Sequence, residues 1–137
     1  MIPSQLHCRC CTGDELYTWM YNLRGDGHYV AYIRGGRCDT YQGFDREFSA
    51  ALQFPDYYGE NMNAFDECIA DLDWLHAERV YVVIDQAERF MEFDRVQDGW
   101  YTRHLVNAVV EEPDVSLTIV LRFQSEETMK KYGGDVC

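Results

Sequence analysis

The sequence predicts an α/β domain with a mainly parallel sheet, because strand patterns and helix patterns alternate along its 137 residues. The clearest strand is 80–84, five consecutive apolar residues between polar neighbours, which is typical of a buried central strand. A second apolar run at 115–123 forms the last predicted strand. The complete predicted order of elements is β-α-β-α-α-β-α-β.

The first β-α unit is predicted near the N-terminus. Residues 6–11 fit a short strand, and Thr12 and Glu15 then have the spacing of a capping box. Gly25 ends the predicted helix. Its apolar residues recur at helical spacing: Leu16, Trp19, Met20 and Leu23.

The remaining elements are read from the same two periodicities. Residues 28–33 alternate loosely as a strand, and the sequence Arg-Gly-Gly at 34–36 turns the chain. The next helix must end before Pro55, a third helix is predicted over 61–72, and Pro113 closes a fourth. The apolar stripes that mark the second and fourth helices are Phe44, Phe48, Ala51 and Leu52, and then Tyr101, Leu105, Ala108 and Val109.

Charge excludes some classes of function. The chain has 12 Lys and Arg against 24 Asp and Glu, a formal net charge of −12. Direct nucleic-acid binding is disfavoured, because it needs basic groups to neutralise phosphates. An acidic surface serves solubility, and it also attracts a basic partner. No apolar run approaches the ~20 residues of a membrane span, and the N-terminus has no signal-peptide pattern, so we expect a soluble, cytoplasmic protein with no membrane partner.

Six cysteines raise the question of disulfides or a metal. Without an export signal, we expect buried free thiols for most of them. His7, Cys8, Cys10 and Cys11 carry zinc-binding groups, but their spacing matches no standard pair of knuckles. We therefore predict no metal and no cofactor.

The most informative segment is 47–78, which contains eight acidic residues and no Lys or Arg. Ordinary solvated helices mix both signs and gain from pairs four residues apart. These acidic residues lack such local partners, which favours a role toward a group outside the chain. They are Glu47, Asp56, Glu60, Asp66, Glu67, Asp71, Asp73 and Glu78.

A helical wheel divides the helix predicted over 61–72 into two faces. The preceding loop, 54–61, contains Tyr57 and Tyr58, of which one is expected to pack on the core, and it ends at Asn61, which is predicted to cap the helix. Carboxylates beside a tyrosine suit the Arg and Lys side chains of a partner. The core face is Met62, Ala64, Phe65, Cys68, Ile69 and Leu72, and the outward face is Asn63, Asp66, Glu67, Ala70 and Asp71.

The stretch LQFPDYYGENMNAFDECI at 52–69, continued by DLDWL at 71–75, resembles the barstar family. The likeness extends over roughly 29–123. It implies an α/β fold in which a small, mainly parallel sheet of three strands packs against helices, here extended by the N-terminal β-α unit. We thus divide the chain into an added unit at 1–27 on the same domain, a barstar-like domain at 28–123 and a flexible tail at 124–137.

The resemblance also implies a function and a set of contact residues. Members of the family inhibit ribonucleases inside the producing cell by inserting this loop and helix into the nuclease active site. Carried over by position, the loop contacts are Tyr57, Gly59 and Asn61. The carboxylate that takes the place of the substrate phosphate is Glu67. Supporting positions are Asn63, Asp66, Ala70 and Asp71, with Glu111 on the last long helix as a weaker candidate.

Several of these positions depart from the family pattern. The central acid is Asp in the family and Glu67 here, which is one methylene longer. Asn63 replaces a second carboxylate, Asp66 a tryptophan and Ala70 a threonine. These changes leave the inhibitor role in place, but they predict weak or no inhibition of barnase.

The sequence leaves two other classes of function open. The same acidic helix could give immunity against a toxin that is not a ribonuclease but has a basic cleft. An enzyme would use paired carboxylates such as Asp66 and Glu67. These lie on an outward helix face without an evident pocket, the four histidines are scattered, and no catalytic motif occurs. We therefore predict a protein without catalytic activity.

Overall fold

The computed structural model describes residues 4–56, 58–59, 61–111 and 113–133. Four strands and six α-helices occur in these ranges, together with short 3-10 helices at Gly35–Arg37 and Asp73–Leu75. The strands are β1 (Gln5–Cys10), β2 (Tyr29–Arg34), β3 (Arg79–Asp85) and β4 (Ser116–Phe123). The helices are α1 (Gly13–Gly25), α2 (Tyr41–Ala51), α3 (Met62–Asp71), α4 (Ala87–Val96), α5 (Trp100–Val110) and α6 (Glu126–Gly133). None of these helices is long and apolar enough to span a membrane.

The strands form one parallel sheet in the order β1-β4-β3-β2. Leu6, Ile119, Val82 and Ala31 are register partners in one row across all four strands. The predicted α/β fold with a parallel sheet is therefore correct. The implied count of three strands is wrong for this chain, because β1 pairs with β4 and adds a fourth.

Helices cover both faces of the sheet. Side chains alternate along a strand, so Val82 and Ile84 of β3 point to one face and Tyr81 and Val83 to the other. The first face packs on the main core, to which α2, α3, α4 and α5 all contribute. On the second face, Val30, Tyr81 and Val83 of the strands pack against Leu16 and Met20 of α1. The N-terminal β-α unit thus supplies both an edge strand and the cover of the second face.

The capping box predicted for α1 is confirmed. The backbone N–H of Glu15 donates to Thr12 Oγ1 at 3.1 Å, and the backbone N–H of Thr12 donates to Glu15 Oε1 at 2.9 Å. These two bonds satisfy backbone donors that the first helical turn leaves open.

Two helices were not predicted from the sequence. In α4 the inward side is Ala87, Phe90, Met91 and the buried carboxylate of Asp94, so a charged residue interrupts the apolar stripe. The helix α6 lies within the segment 124–137, for which we predicted a flexible tail, and the structure differs from that prediction over 126–133. Its Met129 and Tyr132 pack against the main core. This packing stabilises a helix that a short polar sequence would not form by itself.

A buried ionic network joins strand ends at the carboxyl edge of the sheet. Arg122 of β4 donates from Nη1 to Asp85 Oδ1 at 2.8 Å and from Nη2 to the carbonyl oxygen of Cys11 at 2.7 Å. Tyr32 of β2 donates to Asp85 Oδ2 at 2.5 Å. Burial and the bond to Asp85 raise the pKa of Tyr32 to about 12. The network therefore ties the end of β1 to the other three strands.

Removing the Asp85 charge is expected to destabilise the fold in a pH-dependent way. Burial alone would raise the pKa of Asp85, but hydrogen bonds from Tyr32, Arg122 and the Gln86 backbone N–H lower it below its ordinary value. A lowered pKa gives stabilisation that is present above the unfolded value of about 4 and is lost as the pH falls through the folded value. Asp85→Asn should lower the free energy of unfolding by about 3 kcal/mol at pH 7, and by less below about pH 4, in urea denaturation.

The matched control for this prediction is Asp26→Asn at an exposed position. Its effect should stay within about 0.5 kcal/mol. A cost for Asp85→Asn that is the same at pH 7 and at pH 3.5 would contradict the proposed role of the charge.

Candidate partner-binding site

The loop that precedes α3 is held to the core by a cluster of rings. The Phe54 ring lies 4.9 Å from that of Tyr58, 6.0 Å from that of Phe65 and 6.2 Å from that of Trp74, measured between centroids. Trp74 Nε1 donates to the carbonyl oxygen of Leu52 at 2.9 Å. These contacts hold Phe54 and Tyr58 of the loop against the core beside α3.

Tyr58 of this loop points inward. Its hydroxyl donates to Asp45 of α2, a carboxylate that is only 8% exposed. Burial, and then the bond to Asp45, raise the pKa of Tyr58. Tyr57 lies outside the described residues, so its predicted partner contact stays a prediction.

Asn61 has a structural role that the partner prediction did not include. Its Oδ1 accepts from the backbone N–H of Ala64 at 2.9 Å and so caps α3, as the sequence predicted. Its Nδ2 donates to the carbonyl oxygen of Gly59 at 3.3 Å. A Cβ on residue 59 would lie 3.3 Å from this Nδ2, which favours glycine there. Both residues are exposed, and their contact with a partner remains a prediction.

The two faces predicted for α3 are present in the structure. Phe65, Cys68 and Ile69 are buried, with exposed fractions of at most 3%. Phe65 contacts the rings of Phe44 at 5.2 Å and Phe48 at 5.5 Å between centroids. On the opposite side the exposed residues are Asn63, Glu67 and Ala70, with the partly exposed Asp66 and Asp71 beside them.

Asp66 is bound by a histidine that sequence analysis did not connect with it. Nδ1 of His104 on α5 lies 2.9 Å from Asp66 Oδ1 and 3.1 Å from Oδ2. The histidine side chain is 19% exposed and the aspartate side chain 44%. This contact holds the Asp66 carboxylate toward α5 and joins the two helices.

Among the described residues of α3, the carboxylates of Glu67 and Asp71 are in no ion pair. In the part of the chain that the structure describes, three ion pairs occur, and they join Arg34 to Glu47, His104 to Asp66 and Arg122 to Asp85. Glu67 is in none of them. It is therefore an exposed carboxylate in the middle of α3 without a cationic neighbour.

A narrow cleft of about 60 Å³ separates α3 from α5. Ala70 lines it from α3, and Glu111, just beyond the end of α5, lines it from the other side. The segment after α5 is fixed to α3, because the Asp114 backbone N–H donates to the carbonyl oxygen of Ala70 at 3.1 Å. The complete lining is Asp66, Ile69, Ala70, Asn107, Ala108, Glu111 and Pro113.

A comparison with known protein families matches residues 28–122 to the family described as Barstar (barnase inhibitor). The chain belongs to the barstar family. The matched range includes β2, α2, α3, β3, α4 and α5 and nearly all of β4, and it leaves β1, α1 and α6 outside. No curated protein matches the chain.

Two solved structures of the ORC2 protein of Aeropyrum pernix have a similar fold. The ADPNP–ADP complexes give a TM-score of 0.62 at 10% identity, and the ADP form gives 0.65 at 13% identity. They cover 97% and 98% of this chain, whereas the chain covers 37% and 40% of theirs. The chain thus spans about two-fifths of their length, and at these identities the likeness shows the fold alone.

The structure brings most of the predicted barstar-like contact residues to one surface. The exposed side of α3 and the loop before it carry Gly59, Asn61, Asn63, Glu67 and Ala70. Glu111 lies next to this surface, because it lines the cleft between α3 and α5. His104 was missed, because 38 residues separate it from Asp66 and no local pattern indicates their contact.

The cysteines take no part in this surface. Cys38 and Cys68 are free and buried, as predicted, whereas Cys10 and Cys11 are free but only partly buried and Cys8 is disulfide-bonded. Among the residues that the structure describes, no group of three or more His, Cys, Asp or Glu side chains is placed to hold a metal ion.

The orientation of α3 is expected to depend on Phe65. Phe65→Ala removes a fully buried ring and should lower the free energy of unfolding by about 3–5 kcal/mol in chemical denaturation. The control is Asn63→Ala, on the exposed side of the same helix, which should change it by less than about 0.5 kcal/mol. Similar costs for the two variants would show that α3 does not pack as described.

Proposed function

We propose that this chain inhibits a basic ribonuclease by placing the loop at 54–61 and the exposed side of α3 in the nuclease active site. The observation that carries the proposal is the isolated carboxylate of Glu67 on the α3 surface, within the segment that matches the barstar family. A ribonuclease active site binds phosphate through cationic side chains. A carboxylate without an internal partner can occupy the same position.

The surroundings of Glu67 support this role. No Lys or Arg occurs between residues 47 and 78, so no basic side chain from this segment competes with a partner. The net charge of −12 adds a long-range attraction toward a basic protein. Asp66 adds negative charge beside Glu67, but its contact with His104 keeps it toward α5. These observations support Glu67 as the carboxylate that enters a cationic pocket.

The cleft between α3 and α5 supports a second contact. Its lining includes the apolar side chains of Ile69 and Ala108 and the carboxylates of Asp66 and Glu111. The cleft is too small to enclose a Lys or Arg side chain, but its two carboxylates suit a cationic head that lies beside it. Glu111 would therefore take part in the interface through this cleft.

The second candidate is immunity against a toxin that is not a ribonuclease but has a basic cleft. The Glu67 carboxylate on α3 favours both candidates equally, because it indicates that the partner is basic but not which reaction the partner catalyses. Inhibition of RNA cleavage separates them. In either case we propose that the protein acts in the cytoplasm of the cell that makes the nuclease.

The test is an inhibition panel of purified basic, guanyl-specific microbial ribonucleases, with barnase included. We expect competitive inhibition of at least one enzyme at stoichiometric concentrations. Barnase should be inhibited weakly or not at all, because Glu67 is one methylene longer than the aspartate of the family pattern. If no ribonuclease is inhibited while a non-ribonuclease toxin with a basic cleft is bound, the second candidate is correct.

Truncation of Glu67 is expected to abolish most of the affinity for an inhibited ribonuclease. Glu67→Ala would leave cations of the nuclease buried and unpaired, which should weaken binding by about 2–5 kcal/mol in calorimetry; this range comes from barnase and barstar, relatives of the system proposed here. The control is Glu127→Ala, an exposed acid on α6. A loss below about 0.5 kcal/mol for Glu67→Ala would show that another group occupies the active site.

A further inference from the structure

Three aromatic side chains lie side by side next to the exposed side of α3. The rings of Tyr41 and Trp100 are 5.8 Å apart between centroids and tilted by 35°. The rings of Trp100 and His104 are 5.7 Å apart at 81°. All three side chains are partly exposed. We call Tyr41, Trp100 and His104 the aromatic shelf.

The aromatic shelf is continuous with the proposed interface. His104 contacts Asp66 of α3 at 2.9 Å, so a carboxylate lies at one end of the shelf. At the other end, Tyr41 lines a surface hollow of about 300 Å³ together with Gln42, Asp45 and Arg46. Asp45 in turn accepts a hydrogen bond from the Tyr58 hydroxyl, which belongs to the loop at 54–61. The shelf therefore connects α2 and α5 to both parts of the proposed contact surface.

The chemistry of the shelf favours one kind of side chain. A planar guanidinium can lie over an aromatic ring and still donate hydrogen bonds from its edge, whereas a lysine ammonium is a compact, strongly hydrated point charge. The Asp66 carboxylate beside His104 supplies an acceptor at the edge of the rings. This chain shows the same stacking internally, because the Arg9 guanidinium lies 4.4 Å from the centroid of a Trp19 ring on the other face of the sheet.

We propose that the aromatic shelf binds an arginine side chain of the partner, beside the cationic pocket that receives Glu67. This inference rests on the proposed function for the identity of the partner as a basic ribonuclease. It extends the contact surface from α3 onto α5 and α2. Arginine at this position of the partner would then be a determinant of which ribonuclease is inhibited.

Tryptophan replacements test the shelf with an inhibited ribonuclease from the panel. Trp100→Leu removes the flat ring and should weaken inhibition about fivefold to tenfold, whereas Trp100→Phe keeps a ring and should weaken it less than threefold. The matched control is Trp19→Leu, on the opposite face of the sheet, which should leave inhibition unchanged. Equal effects of Trp100→Leu and Trp100→Phe, with both variants folded by circular dichroism, would overturn the proposal.

A direct measurement does not need the ribonuclease. The wild-type protein is titrated with N-acetyl-arginine amide, and the indole N–H signals of Trp19, Trp74 and Trp100 are followed by NMR. We expect a saturable shift of the Trp100 signal that is at least threefold larger than with N-acetyl-lysine amide at the same concentration. The shift should decrease in Asp66→Asn. Equal shifts with the two probes, or a shift confined to the other tryptophans, would count against stacking on Trp100.

The two proposals can fail separately. If Glu67→Ala abolishes inhibition of a ribonuclease and neither Trp100 variant affects it, the shelf is wrong and the proposed function stands. If the arginine probe binds at Trp100 and no ribonuclease is inhibited, the proposed function is wrong and the shelf serves a different basic protein. If the arginine probe does not shift the Trp100 signal and the Trp100 variants inhibit the ribonuclease as well as the wild type does, the shelf is not a binding surface.

Discussion

Burial of Phe65 is the constraint on which the rest of the site depends. Its ring is fully buried and packs against Phe44 and Phe48 of α2, so α3 can have only one rotation about its axis. That rotation turns Glu67 outward. Side chains two residues apart on a helix point to nearly opposite sides, about 200° apart. Burial of Phe65 in the core therefore directs the Glu67 carboxylate toward the solvent.

The carboxylates of the protein fall into two groups with different physical roles. Asp85 and Asp45 are largely enclosed and satisfied by internal donors, Arg122 and Tyr32 for the first and Tyr58 for the second. Such groups hold elements together, because a buried charge is tolerated only when it is paired or hydrogen-bonded. Glu67 belongs to the other group. It is exposed and without an ion pair, so its charge is available to another molecule.

The N-terminal unit adds to the scaffold on the side of the sheet away from α3. The family match starts at residue 28, whereas β1 and α1 lie before it and add an edge strand and the cover of the second face of the sheet. Arg122 fastens this unit through the carbonyl of Cys11. The proposed interface lies on α3 and α5, which pack on the other face of the sheet. The two parts of the molecule can therefore differ in function.

The sequence by itself determined the parallel α/β class, the capping of α1 and α3 and the outward direction of Glu67, because periodicity and capping are local properties. The pairing of β1 with β4, the helix α6 and the inward position of Tyr58 were decided by tertiary packing. The same holds for the contact of His104 with Asp66 and for the cleft that includes Glu111. These features depend on contacts between residues that are distant in the chain. The free energy that stabilises such contacts comes from burial and from hydrogen bonds or ion pairs, which local sequence patterns do not predict.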